Sequence, residues 1–161
     1  MICAFTGHRP QSLPWGGRED DPRCQALKIL LRAAVDQAVE RGCRYFLCGM
    51  ALGCDTYFAE TVLEKQAEIP ELILEAVIPC PGQADRWLEQ DRLRYHEILR
   101  QCGRLTVLED AYSDGCMLRR NRAMVDRADL LISVYDGSGG GTGSTVAYAK
   151  ERGVEVIPVW V

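Results

Sequence analysis

The sequence predicts an α/β fold, built as a doubly wound, mainly parallel sheet with helices on both faces. Three observations predict it. Short apolar runs alternate with longer segments of helical period, the pattern of parallel strands joined by crossover helices. At least one run, DLLISVYD at 129–136, is apolar enough to be buried on both faces. Finally, 161 residues of which 47% are hydrophobic suffice for one ordinary domain with a real core.

Each element follows from its own residues. ICAFT at 2–6 reads as the first strand. Leu27, Leu30, Leu31, Ala34, Ala38 and Val39 then recur at three- and four-residue spacing, and Gly42 stands where a left-handed helix end is expected. YFLCG at 45–49 is a second strand, 56–65 a second helix, and LILEAVIP at 72–79 a third strand ended by proline. Residues 87–102 are helical and close at Gly103, LTVL at 105–108 is a strand, and 117–128 a helix feeding the buried strand 129–136. A helix at 146–152, ended by Gly153, precedes the last strand, VEVIPVWV. No internal repeat interrupts this series. The irregular stretches are 7–22, 79–86 and, shorter, 109–115; long loops in such a fold often bind ligands. Right-handed crossovers bring the C-terminal ends of parallel strands to one edge, so the expected architecture is a single Rossmann-like domain over 1–161, with its ligand crevice along that edge.

Composition excludes several classes. Nineteen Lys and Arg against 23 Asp and Glu give a formal charge of -4, so nucleic acid is not an expected partner unless a local basic patch overrides the average field. The eight cysteines form no CxxC pair and no zinc-spaced cluster with histidine, which predicts reduced, mostly buried thiols and a cytoplasmic chain. No stretch approaches the roughly 18 apolar residues of a membrane span, and MICAFTGHRP is not a secretory leader. With His8 and His96 the only histidines, a multi-histidine metal site is excluded by count. No Ser-His-Asp or Cys-His pairing emerges from the spacing, so no catalytic residue and no metal ligand is assigned.

Three glycine-bearing loops fall on the predicted edge. They are Gly7-His8-Arg9 after the first strand, Gly49-Met50-Ala51-Leu52-Gly53-Cys54-Asp55 after the second, and DGSGGGTGST (136–145) after the buried strand. The last is not read as a flexible linker, because a buried strand enters it and a helix leaves it. Glycine admits a ligand close to the backbone, and a helix start offers unpaired N–H groups with about half a unit of positive charge. The expected ligand contacts are Gly140, Gly141, Thr142, Gly143, Ser144 and Thr145, with Gly49, Ala51 and Gly53 from the second loop. A tight turn that only packs helix on sheet is the competing reading. The stretch matches neither GxGxxG nor GxxxxGK[ST]. RRNR at 119–122 adds charge: Arg120 is the expected phosphate ligand beside Asn121, the alternative being a solvated or ion-paired arginine. Asp55 either caps the second helix or accepts hydrogen bonds from ribose hydroxyls. His8 either donates to a ligand or bonds to backbone, and Trp87 either stacks on a base or packs on the core.

The order strand-TGHRP, CGMALGCD, then RRNR-helix-strand-GGGTGST resembles the SLOG superfamily, to which DprA (SMF) and LOG proteins belong, and most closely its stand-alone YpsA-like branch, a domain of unknown function. The similarity spans nearly the whole chain, including WLEQDRLRYHEIL. It implies a Rossmann-like domain whose glycine loops bind a nucleotide or nucleotide-derived small molecule. DprA-like proteins bind single-stranded DNA and carry a Gly-x-Ala-x-Gly-x-Asp loop, matched here by Gly49, Ala51, Gly53 and Asp55, and an Arg-Asn-Arg, matched by Arg120, Asn121 and Arg122. LOG-like enzymes cleave a ribose phosphate from a cytokinin nucleotide through a PGGxGTxxE signature. Aligned on Gly140, Gly141 and Gly143, that signature puts Gly139 at the proline, Ser144 at the threonine and Ala147 at the glutamate, so the acid/base carboxylate is missing unless Asp55 or Asp136 takes its place.

The resulting expectation is a binding protein, sensing or regulatory, for a small phosphorylated nucleotide-like ligand such as a nucleotide, NAD or ADP-ribose, with no required cofactor. The alternatives are a LOG-like phosphoribohydrolase or related N-glycosidic transferase, and a DprA-like single-stranded DNA module. The resemblance further implies a homo-oligomer.

Overall fold

A computed structural model describes residues 1–161. Strands and helices alternate along it: β1 (Ile2–Gly7), α1 (Pro22–Glu40), β2 (Tyr45–Cys48), α2 (Cys54–Glu68), β3 (Ile73–Ile78), α3 (Glu89–Gln101), β4 (Arg104–Val107), α4 (Cys116–Arg127), β5 (Leu130–Tyr135), α5 (Gly141–Glu151) and β6 (Glu155–Trp160). The six strands form one sheet in the order β4-β3-β2-β1-β5-β6, and every neighbouring pair is parallel. The chain therefore begins in the middle, winds outward to β4, and returns to the other side of β1 for β5 and β6. Winding reverses between β1 and β5, and the loops leaving these two strands diverge there to open a crevice at their C-terminal ends.

The side-chain period of two divides each strand between two apolar layers of unequal size. Cys3, Phe5, Phe46, Cys48, Leu130 and Ile132 belong to a 31-residue cluster that takes in the buried faces of α1, α2 and α3. Their neighbours Ala4, Leu47, Val77 and Leu131 point the other way, into a cluster of only 8 residues completed by Met124 and Val125 of α4 and Val146 and Ala149 of α5. Glu75 of β3 is fully buried on this thinner side. Its carboxylate is compensated by Arg127, by Arg104 at 3.0 Å and by the Tyr45 hydroxyl at 3.1 Å.

Helix ends follow local chemistry. The Asp21 carboxylate accepts the Arg23 N–H and Pro22 occupies the first turn, so α1 starts five residues before its apolar repeat. Gly42 takes the expected left-handed conformation, with φ of 102°, after the helix ends. α2 begins at Cys54 and runs to Glu68, longer at both ends than 56–65. α3 starts at Glu89, leaving Trp87 ahead of the helix. The largest difference is at α5, which begins at Gly141 rather than at 146, inside the glycine-rich stretch itself. Glycine is a poor helix former, and packing of α5 against β5 and β1 overrides that weak preference. The eight cysteines are unpaired and all but Cys102 are buried. No helix is long and apolar enough to cross a membrane.

Candidate functional site

A cavity of about 530 Å³ opens at the β1/β5 reversal. This is within the range of roughly 300–1,000 Å³ that small-molecule sites occupy. Its walls come from the loops after β1, β2, β4 and β5 and from the first turns of α2, α4 and α5.

These three helices start alike. Each has a glycine of positive φ at its N-cap, Gly53 at 87°, Gly115 at 78° and Gly140 at 113°, and none has a side chain capping its first amides. By contrast α1 is capped by Asp21. At α5 the Ser144 N–H bonds the Gly140 carbonyl, and the N–H groups of Gly141, Thr142 and Gly143 find no acceptor in the chain. A β-carbon at Gly139, Gly140 or Gly141 would meet nothing within 4 Å, and these three residues line the cavity together with Thr142. Thr6 and Thr142 are 5% and 8% exposed, and both line the cavity.

The second loop is built around a buried cation. Arg120, on α4, is 2% exposed, and its guanidinium donates to the carbonyl oxygens of Gly49 and, at 3.4 Å, Val77, and to Gln83 Oε1 at 3.3 Å. A β-carbon on Gly49 would stand 2.5 Å from the guanidinium carbon, so glycine is needed here for close approach. Gln83, from the 79–86 stretch, donates to the Gly49 and Met50 carbonyls and so holds the loop from its other side. Met50 is 1% exposed and sits at φ of 60°, a left-handed conformation uncommon for a non-glycine residue that signals a loop over-determined by its surroundings.

Asp55 is 6% exposed and lines the cavity. One carboxylate oxygen accepts the Ala51 N–H at 2.9 Å, while the other makes no hydrogen bond within the chain. It therefore braces its own loop rather than capping α2, whose N-cap is Gly53. Burial pushes the Asp55 carboxyl above its ordinary pKa, with the Arg120 charge and the Ala51 amide pulling it back. Burial conversely lowers Arg120, and the Asp55 charge opposes that.

A polar chain ties this loop to the glycine-rich one. Arg120 Nε donates to Asn121 Oδ1 at 2.8 Å, Asn121 Nδ2 to Thr145 Oγ1 at 3.1 Å, and Thr145 Oγ1 to the Gly141 carbonyl at 2.8 Å. His8 fastens the third side. Its backbone links β5 and α2 through the Val134 carbonyl and the Cys54 N–H, and its Nε2 stands 3.1 Å from both the Asp136 N–H and Asp136 Oδ1. One nitrogen cannot serve both at once. Nε2 accepts the Asp136 N–H when the ring proton is on Nδ1 and donates to Asp136 Oδ1 when it is on Nε2.

The structure brings together Gly7, His8, Arg9, Ala51, Asp55, Arg120 and Asn121 with Gly140, Gly141, Thr142 and Ser144 around one cavity. Gly49, Gly53, Gly143 and Thr145 do not line it and stand behind these residues. A β-carbon at Gly143 would lie 2.6 Å from the Ser138 carbonyl, and one at Gly53 2.9 Å from that of His8. Trp87 is not on the main cavity: it meets Tyr95 edge-on at 5.1 Å, packs on the larger core and lines a side hollow of about 130 Å³. The arginines divide differently from the expectation. Arg120 spends its guanidinium on carbonyls, Arg122 stacks on Tyr148, and Arg119 pairs with Glu109, whereas exposed Arg9 at the rim makes no ion pair. Ala147 is exposed and lies off the cavity. Tyr112, Met117 and the Pro10–Ser12 turn also reach the cavity, and sequence reasoning did not select them. The available signal was position, since 109–115 follows a parallel strand and so emerges on the same edge.

The model of the YspA SLOG family (YpsA) matches residues 3–154. A UPF0398 protein of Bacillus pumilus is 31% identical over 137 residues, covering 84% of this chain and 73% of the relative. A UPF0398 protein of Bacillus anthracis is 27% identical over 157 residues, covering 96% and 85%. Among solved structures, DNA processing protein A of Helicobacter pylori, described by its single-stranded DNA binding mode, superposes with a TM-score of 0.65 at 15% identity over 98% of this chain and 64% of its own. DNA processing protein A (DprA) of Streptococcus pneumoniae gives 0.63 at 15%, over 98% and 49%. The chain thus spans less than two thirds of either neighbour, and at this identity they share the fold alone.

Proposed function

Because the chain belongs to the YspA SLOG family, we propose that it binds a nucleotide or nucleotide-derived phosphate ligand in the β1/β5 crevice, in a sensing or regulatory role. The observation that carries this reading is the run of unpartnered amides at the start of α5, where Gly141 and Thr142 line a cavity of about 530 Å³. A helix start with free N–H groups and the positive end of its dipole is a ready anion site. Arg9 supplies the accessible cation at the rim, and Arg120 contributes positive potential from beneath the floor. Asp55 repels phosphate but offers an unused carboxylate oxygen, which suits ribose hydroxyls. The ligand thus lies with its anion toward α5 and its sugar toward α2.

Isothermal titration against nucleoside mono- and diphosphates, NAD and ADP-ribose tests the reading. At least one should bind more tightly than about 1 mM, near -4 kcal/mol, and Gly140→Ala should weaken it. Failure of every phosphate ligand refutes it.

One observation favours a second reading over the charge-based expectation against nucleic acid: the H. pylori neighbour is a single-stranded DNA binder. DNA binding here predicts affinity for an unstructured oligonucleotide that falls steeply with salt. Affinity unchanged by salt, or absent at low salt, removes it. The LOG-like hydrolase reading has no comparable support, since the position of its glutamate, Ala147, is off the cavity.

A further inference from the structure

The anion and sugar ends of the crevice leave its outer wall to be explained. That wall is formed by the 109–115 loop, which carries Tyr112, and by the first turn of α4 with Met117 and Leu118. Tyr112 is 69% exposed, the least covered aromatic in the chain among the large hydrophobics. It is nevertheless held on a braced segment. The Arg119 guanidinium grips both Glu109 oxygens at 3.0 and 3.2 Å, Ser113 Oγ at 2.5 Å and the Asp114 carbonyl at 2.8 Å. The Leu108 and Glu109 N–H groups bond the carbonyls of Ile78 and Pro79.

A bulky aromatic left 69% exposed on a loop so thoroughly tied down belongs to neither apolar cluster of the core. It stands instead on the wall of the same cavity that Gly140, Gly141 and Thr142 at the start of α5 line. We infer that Tyr112 is a stacking platform for a planar heterocyclic base, so that the crevice selects intact nucleotides over sugar phosphates of the same charge. This inference rests on the phosphate-binding reading and extends it from the anion to the base. Tyrosine suits the role: it has two side-chain torsions to fix, every base offers a π-face, and the brace on the loop has already removed the backbone entropy that binding would otherwise cost. Trp87, the aromatic that the sequence suggests, packs edge-on against Tyr95 and lines an adjoining side hollow rather than the crevice itself.

The test compares ligands that differ only in the base. Wild type, Tyr112→Ala and Tyr112→Phe are titrated calorimetrically with AMP, GMP, CMP, UMP and ribose 5-phosphate. Wild type should bind the purine nucleotides about 5- to 100-fold more tightly than ribose 5-phosphate, the range expected for one stacked base. Tyr112→Ala should erase that advantage and leave ribose 5-phosphate within about twofold, and Tyr112→Phe should retain it. An exposed side chain can be truncated without loss of folding, which thermal melts of each variant verify. If wild type binds ribose 5-phosphate as tightly as AMP, or Tyr112→Ala weakens both equally or neither, the stacking role is overturned while phosphate binding stands. If none of these five binds, the stacking role is overturned, and if nucleoside diphosphates, NAD and ADP-ribose fail too, the phosphate reading falls with it.

Discussion

Gly49→Ala is the sharpest perturbation the structure offers. Gly49 is not in the left-handed region, so alanine brings no backbone strain, and by restricting the unfolded chain it should even contribute about 0.4–1 kcal/mol of stability. Against that, its methyl would stand 2.5 Å from the guanidinium carbon of Arg120 and 2.7 Å from Nε and Nη1. A flexible arginine could ordinarily swing away. This one is 2% exposed, with Nε held by Asn121 and Nη1 by Gly49, Val77 and Gln83, so retreat breaks charge-assisted hydrogen bonds inside the protein. Losing one such bond costs about 1.5–3 kcal/mol, and leaving a buried charge without partners about 3–5. Net of the alanine gain, the variant should lose about 1–4 kcal/mol, or roughly 2–16 °C in Tm for a chain of this size. Urea unfolding of Gly49→Ala, Arg120→Ala and the double variant isolates the cause. In the Arg120→Ala background the methyl no longer meets Nε, Cζ or Nη1, so Gly49→Ala should be neutral or slightly stabilising there, giving a coupling above about 1 kcal/mol. Equal losses in both backgrounds, or a Gly49→Ala protein as stable as wild type, would show that the guanidinium is not where this reasoning needs it.

Three further outcomes are expected. Glu19 is held down to about 2 by hydrogen bonds from Arg94 and Lys28, against an ordinary value of 4.5. A carboxyl depressed on folding stabilises fully above its unfolded pKa and loses that contribution as pH falls toward its folded one. The unfolding free energy from urea titrations should therefore drop between about pH 4.5 and 2 by up to about 1–2 kcal/mol after solvent screening, and Glu19→Gln should flatten that drop. Asn121→Ala removes both the acceptor for Arg120 Nε and the donor to Thr145 and should cost about 1–3 kcal/mol in chemical denaturation. Trp87→Leu should lower Tm through lost contact with Tyr95 and the core, yet leave calorimetric affinity for AMP within about twofold, because Trp87 is off the main cavity.

Much of this was legible in the sequence because both its main signals are local. Continuous apolar runs such as LLISV and the repeat from Leu27 to Val39 reveal strands and a helix without tertiary knowledge, and parallel topology then brings every strand-to-helix loop to one rim. What escaped depends on partners remote in sequence. Arg120 looks like a free phosphate ligand until the carbonyl of Gly49, 71 residues away, claims its guanidinium. The start of α5 was hidden because Gly141 and Gly143 oppose helix locally, and only packing on β5 and β1 makes them helical. Trp87 and Tyr112 were indistinguishable in kind. Burial alone separates an aromatic anchored against Tyr95 from one standing in water.

The lopsided sandwich has an energetic corollary. The layer that holds α4 and α5 closes over 8 buried apolar residues, four of them from these two helices, whereas the layer under α1, α2 and α3 closes over 31. Truncating Met124, Val125 or Val146 therefore takes a larger share of its layer's core than the same change on the opposite face.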